Sequence, residues 1–277
     1  MPNLRTALAD ATARLGQSDT AALDAQLLLA HVLGKTRTWL YTWPAHELDT
    51  AQINALEALV SRAEKGEPVA YLTGKRAFWT MTLEVTPAVL IPRPETELLV
   101  DFAQEALPAG GAVLDLGTGS GAIALALAAE RPAWKVEAVD RSPDALALAR
   151  ENAAQCGLAE RVAFAESDWF AAVTDAYDLI VTNPPYLTEA EVAAAEPEVR
   201  EFDPKSALIA PDEGLADLRR ILTDAPRFLR AGGWVLLETS IDQHAALATL
   251  SAQLGYAEPA GRPDMSGRPR FWQARKG

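Results

Sequence analysis

The sequence predicts an α/β chain in which a small all-helical domain precedes a doubly wound parallel sheet. Three observations carry this. Residues 1–65 place apolar side chains at helical spacing with no strand pattern. Residues 66–92 are cut by Gly66, Pro68, Gly74, Pro87 and Pro92. From about residue 94, short apolar strands alternate with helices. The 277 residues therefore divide into a helical bundle at 1–65, a linker with a β-hairpin at 66–92 and an α/β domain at 93–277.

The elements follow in order. Leu4, Leu8, Ala11 and Leu15 share a helical face, and Gly16 ends that run. Ser18 or Asp19 is placed to cap a second helix carrying Leu23, Leu27 and Ala30, which stops at Gly34. Thr36 to Trp43 reads as a short helix or turn. Thr50 is expected to cap a helix with Ile53, Leu56, Val60 and Ala63 on its stripe. In the linker, FWTMTLEV (78–85) has β character. AVLDL (112–116) is a buried strand, followed by a glycine loop and an Ala/Leu helix to Glu130. KVEAVD (135–140), RVAFA (161–165), YDLIVT (177–182) and GWVLLE (233–238) are further strands, with helices from Pro143 to Cys156 and from Leu215 to Leu229. Two more lie around Tyr256 and at FWQA (271–274). Strands joined through helices run parallel, and such sheets bind ligands at the carboxyl ends of their strands.

Composition narrows the function. The net charge is −13. Residues 1–76 are balanced, so the whole excess lies in 77–277, which repels a phosphate backbone at long range. No direct nucleic-acid partner is expected. Cys156 is alone, and His31, His46 and His244 have no metal-ligand spacing, so neither a disulfide nor a metal is expected. The N-terminus lacks the apolar stretch of a signal peptide. The apolar run Ala122 to Ala129 is far short of the roughly 20 residues that span a bilayer. A cytoplasmic monomer without a membrane partner is the expectation.

The chemistry-bearing motifs fall at strand ends. Gly117-Thr118-Gly119-Ser120-Gly121 follows the first strand of the α/β domain. Its Gly-x-Gly-x-Gly spacing differs from the Gly-x-Gly-x-x-Gly of a dinucleotide cradle and favours a nucleoside such as S-adenosylmethionine over NAD. A ligand-free tight turn would use the same glycines. Asp140 ends the next strand, about 20 residues on, where a carboxylate can accept from both ribose hydroxyls; its competing role is a helix cap before Pro143. Asp168-Trp169 follow the third strand and suit adenine, the carboxylate taking the exocyclic amine and the indole the ring face. A buried core tryptophan is the plainer reading.

Asn183-Pro184-Pro185-Tyr186 ends the fourth strand and is the most informative segment. Two prolines stop the ladder and present carbonyls without competing N–H donors. The Asn183 side-chain oxygen and the Pro184 carbonyl can then accept from one planar NH2 group, with Tyr186 against the flat group that carries it. An amide or exocyclic amine nitrogen is a poor nucleophile because its lone pair is delocalised. Two fixed acceptors orient it in line with a methyl sulfonium and favour its pyramidalisation as positive charge develops. A Pro-rich surface turn is the alternative.

At this point the chain resembles the class I S-adenosylmethionine-dependent methyltransferases that modify planar amino groups. More narrowly, it resembles the PrmC (HemK) family of peptide chain release factor glutamine methyltransferases. The matching blocks are DAQLLLAHVLGKTR (24–37), GEPVAYLTGKRAFW (66–79), LIPRPETE (90–97), VLDLGTGSGAIALALA (113–128), AVDRSPDALALAREN (138–152), SDWF (167–170), NPPY (183–186), VREFDPKSAL (199–208) and DMSGRPR (264–270). The resemblance implies a Rossmann-like methyltransferase sheet and a SAM-dependent protein-(glutamine-N5) methyltransferase. Its substrate would be the Gly-Gly-Gln glutamine of class I release factors, its product S-adenosyl-L-homocysteine. It implies cofactor contacts at Gly117 to Gly121, Asp140, Trp169 and Asn183, acceptor contacts at Asn183 to Tyr186, and a docking role for the helical domain. One departure is Glu238-Thr239-Ser240, where the family more often has glycine two residues after the acid. LIPRPETE either packs over the cofactor or starts a helix with Pro94 in its first turn. The main rival is a DNA or RNA adenine methyltransferase, which would offer the same amine to the same tetrapeptide. A binding module that has lost catalysis and a dehydrogenase are more distant readings.

Overall fold

The computed structural model describes residues 2–107 and 109–277. It divides into two compact units, Met1–Lys75 with Glu196–Phe202, and Arg76–Ala195 with Asp203–Gly277.

The first unit is helical: α1 (Leu4–Arg14), α2 (Ala21–Leu33), α3 (Arg37–Thr42), α4 (Thr50–Ala63) and α5 (Val69–Thr73). Asn3 caps α1 by accepting from the Thr6 N–H, and Thr36 caps α3. The cap of α4 is Asp49 rather than Thr50. Asp49 has Gln52 three residues on, so the two side chains satisfy each other's backbone N–H groups, which Thr50 with Ile53 could not do. Thr20, rather than Ser18 or Asp19, precedes α2; the Ser18 and Thr20 hydroxyls both donate to Asp24 instead. Leu4, Leu28, Leu29, Leu40, Leu48, Leu56 and Val60 form the core. Leu72 of α5 joins it, so helical packing runs past residue 65 into the stretch expected to be linker. Arg14 holds α1 to α4 through Glu57 and a two-point pair with Glu64.

The second unit begins with the hairpin of β1 (Lys75–Phe78) and β2 (Met81–Glu84). A 3-10 turn at Pro94–Thr96 leads into α6 (Glu97–Ala106). The alternation follows: β3 (Ala112–Leu116), α7 (Ala122–Glu130), β4 (Lys135–Asp140), α8 (Pro143–Gln155), β5 (Val162–Glu166), β6 (Tyr177–Thr182), α9 (Glu189–Ala194), α10 (Lys205–Leu208), α11 (Ala216–Phe228), β7 (Leu229–Glu238), α12 (His244–Gln253), β8 (Ala257–Pro263) and β9 (Pro269–Arg275). The seven strands lie in the order β5-β4-β3-β6-β7-β9-β8. The first five are parallel, and β9 runs antiparallel between β7 and β8.

Strand side chains alternate between two cores. Val113, Leu179, Val181 and Leu236 pack with Leu99 and Val100 of α6 and with α7. Leu114, Ile180, Val235 and Leu237 pack with Leu218, Ile221 and Leu222 of α11 and Leu247 of α12. The chain winds from β3 outward to β5, then returns to β6 on the other side of β3. This reversal opens a crevice at the carboxyl ends of β3 and β6. Among the described residues no helix is long and apolar enough to cross a membrane.

Candidate active site

The carboxyl ends of the parallel strands bring the sequence motifs together. The β3–α7 loop holds Gly117, Gly119 and Gly121 at positive φ of 70°, 56° and 85°. Positive φ favours glycine at all three, and what surrounds each one differs. A Cβ on Gly117 would stand 3.4 Å from the Trp169 ring, and one on Gly121 would press on Leu125 and Ala149 at 3.2 and 3.3 Å. Nothing lies within 4 Å of the Cβ position of Gly119, which faces open space. Gly121 thus serves the packing of α7 and does not line the cleft, whereas Gly117, Thr118, Gly119 and Ser120 do.

Beneath the loop, Asp115 is fully buried. Its Oδ2 accepts from the Thr118 hydroxyl (2.7 Å) and the Ala124 N–H (3.3 Å), while Oδ1 has no hydrogen-bond partner among the described residues. Burial pushes its carboxyl up to about 7, opposed by those two bonds.

Asp140, at the end of β4, accepts one backbone N–H on each oxygen: Gly119 on Oδ2 (2.9 Å) and Ser142 on Oδ1 (2.9 Å). It therefore braces the glycine loop while each oxygen keeps a lone-pair direction. Ser142, not Asp140, caps α8. Past β5, Ser167 turns the chain by accepting from the Ala172 N–H and donating to the Trp169 carbonyl. This holds Trp169 at φ 52°, and its indole donates to Asp217 (3.0 Å). Asp168 also lines the cleft, but both its oxygens receive Arg220 Nη1 at 3.1 and 3.0 Å.

Asn183 and Pro185 line the cleft; Pro184 is buried, and neither it nor Tyr186 forms part of its wall. Asn183 Nδ2 donates to Thr96 Oγ1 (3.2 Å), Thr96 donates to Glu238 Oε2 (2.7 Å), and Tyr186 donates to Glu238 Oε1 (2.9 Å). The Tyr186 carbonyl accepts from Gln243 Nε2 (2.8 Å). Burial raises the Glu238 carboxyl above its ordinary value, against the two hydroxyl donors and Arg270, which lower it. Burial and the Glu238 charge raise the Tyr186 phenol well above its usual range.

Leu90, Pro92, Arg93 and Thr96 form another wall, so LIPRPETE packs over the cleft and also starts α6 through Pro94. The two readings of that segment are compatible. Opposite it, Asp203 pairs with Arg93, and the Ser206 carbonyl accepts from Arg141.

The chain's similarity to known proteins follows the same division. Residues 6–74 match the PrmC N-terminal domain and residues 94–199 the methyltransferase small domain. The release factor glutamine methyltransferase of Vibrio cholerae is 46% identical over 96% of this chain and 94% of that protein. That of Pseudomonas aeruginosa is 46% identical over 98% of each. The chain belongs to the release factor glutamine methyltransferase family. Among solved structures, the hMettl16 catalytic domain in complex with an RNA hairpin superposes with a TM-score of 0.60 at 18% identity, covering 83% of this chain and 82% of that one, a likeness of fold.

For this member of the glutamine methyltransferase family, sequence reasoning missed three contributors. The sequence offers Thr96 only within LIPRPETE and Glu238 only as a departure in loop sequence, while Gln243 carries no signal. Their partners are far away in the chain, and only the sheet order brings β7 and the start of α6 beside β6.

Proposed function

We propose that this chain transfers the methyl group of S-adenosyl-L-methionine to the side-chain amide nitrogen of the Gly-Gly-Gln glutamine in class I peptide chain release factors. The observation that carries the reading is Asn183: its amide NH2 is engaged by Thr96, which leaves Oδ1 as an acceptor on the wall of a cleft floored by the glycine loop. The cleft fits a nucleoside. Gly119 leaves open space where a Cβ would intrude, and Asp140 keeps acceptor capacity for a diol.

Gly117 to Ser120, Asp140 and Trp169 would hold the cofactor, with Asp168 at the rim and Gly121 acting through the loop. The bound cofactor supplies an electrophilic methyl on a sulfonium. Asn183 Oδ1 and the Pro184 carbonyl accept from the glutamine NH2, Pro185 shapes the wall, and Tyr186 anchors the far end of the tetrapeptide. These contacts orient the amide nitrogen and draw its lone pair out of conjugation. The surplus amide proton leaves to water. The helical unit docks the protein substrate, and the monomer acts in the cytoplasm without metal, membrane or nucleic-acid partner. The charge of −13 and the names of the relatives favour this over adenine methylation.

Incubation with labelled cofactor and a class I release factor is expected to label the wild-type factor and not a Gln→Ala tip variant. Label on neither, or equally on both, would overturn the reading. Asn183→Ala is expected to lower kcat by about 100- to 1,000-fold while cofactor still binds.

A further inference from the structure

We propose that Glu238 is a positioning residue that decides which end of the Asn183 amide faces the cleft, acting through the direction of a hydrogen-bond chain that passes by Thr96. An asparagine amide has two ends of nearly equal size and opposite hydrogen-bonding sense, and nothing in the side chain itself selects one. Here the selection can be traced. An ionised carboxylate only accepts, so both oxygens of buried Glu238 require donors. Thr96 supplies one at 2.7 Å and Tyr186 the other at 2.9 Å.

The Thr96 hydroxyl has a single proton. Once that proton points at Glu238, Thr96 Oγ1 offers only lone pairs, and the Asn183 group 3.2 Å away must be the NH2. The opposite orientation would set the Asn183 oxygen against a hydroxyl oxygen whose proton is already committed. Two acceptors would then meet beside a buried threonine, an unmade hydrogen bond with no compensation. A negative charge on β7 thus turns Oδ1 outward from Thr96 without touching Asn183. The same carboxylate ties Tyr186, so both ends of the tetrapeptide hang from one residue. Burial pushes the Glu238 carboxyl up, and the Thr96 and Tyr186 hydroxyls together with Arg270 act against it in favour of the ionised, accept-only form.

The assay rests on the proposed function; the chain of hydrogen bonds does not. Thr96→Val removes the relay and is expected to lower kcat about 10-fold. Thr96→Ser restores the hydroxyl and should recover most of that loss. Glu238→Met keeps the length without an acceptor and is expected to lower kcat about 100-fold, because it also releases Tyr186. The double variant should be no slower than Glu238→Met, since the relay is already lost. Multiplying losses, or a Thr96→Val enzyme with wild-type kcat, would overturn the proposal; if Glu238→Met does not fold, the Thr96 pair decides alone. A Gln→Glu release factor should inhibit Thr96→Val more strongly than wild type, because the NH2 of Asn183 now visits the cleft; unchanged inhibition counts against it. Should the wild-type chain label no factor, the proposed function fails separately. The side-chain NH2 signals of Asn183 in NMR then test the relay, shifting in Thr96→Val and not in Thr96→Ser if it exists, and staying fixed in both if it does not.

Discussion

A single methyl group added at Gly214 is expected to slow methyl transfer about 100-fold while leaving the cofactor cleft untouched. Gly214 lies in the loop before α11 at φ +78°, and an ideal Cβ there would stand 2.1 Å from the Tyr186 carbonyl oxygen and 2.8 Å from its carbon. Real Cβ contacts essentially never fall under 3.0 Å, so the two backbones must part by about 1 Å. Tyr186 cannot yield without consequence. Its carbonyl is held by Gln243, whose Nε2 would itself lie 2.7 Å from the new atom, and its hydroxyl is held by Glu238. The displacement passes into the tetrapeptide, where a misplacement of about 1 Å costs about 100-fold in rate. Left-handed alanine adds about 1–2 kcal/mol of strain, which lowers Tm by roughly 2–8 °C for a unit of this size. The assay is single-turnover label transfer at saturating cofactor, with cofactor affinity measured by calorimetry. A Gly214→Ala enzyme within about threefold of wild-type kcat would show that the exposed Asp212-Glu213 stretch absorbs the methyl, and that Tyr186 is not placed from this side.

Two further perturbations separate other parts of the cleft. Gly119→Ala adds a Cβ into open space beside the cleft and is expected to weaken cofactor binding about tenfold or more, ~1.4 kcal/mol, visible as a raised cofactor Kd. Asp115 has a folded-state carboxyl raised from 3.8 to about 7. The folded chain then binds the proton more tightly than the unfolded one, so this group destabilises progressively as pH rises from about 4 through 7. Asp115→Asn should be more stable than wild type at pH 8, by up to about 4 kcal/mol in urea unfolding, with the advantage vanishing near pH 4; an advantage that does not change with pH would refute the assignment.

How much was legible depended on whether a signal was local. β3, β4 and β6 were readable to the residue because central parallel strands, covered on both faces, are short apolar runs bounded by loop residues. Asp140 and Asn183 were readable as site candidates because a polar residue closing such a run sits at the carboxyl edge. The start of β7 was not, since Leu229 to Gly232 lack strand character and pair only through sheet register. Asp168 could be placed beside Trp169, but its engagement by Arg220 of α11 could not. The Thr96–Glu238 bond joins residues 142 apart, and no spacing rule reaches that far.

The chain leaves the α/β unit after α9, contributes Glu196–Phe202 to the helical unit and returns at Asp203. Within the helical unit, Gly66 closes on Pro197 so tightly that a Cβ would stand 3.0 Å from the proline side chain. The helices are therefore not a prefix that can be clipped off at Lys75. Deleting them strands a short stretch stitched into the middle of the other unit, and grafting them elsewhere leaves a gap where that stretch belonged. A domain swap that respects the fold must move residues 1–75 and 196–202 together.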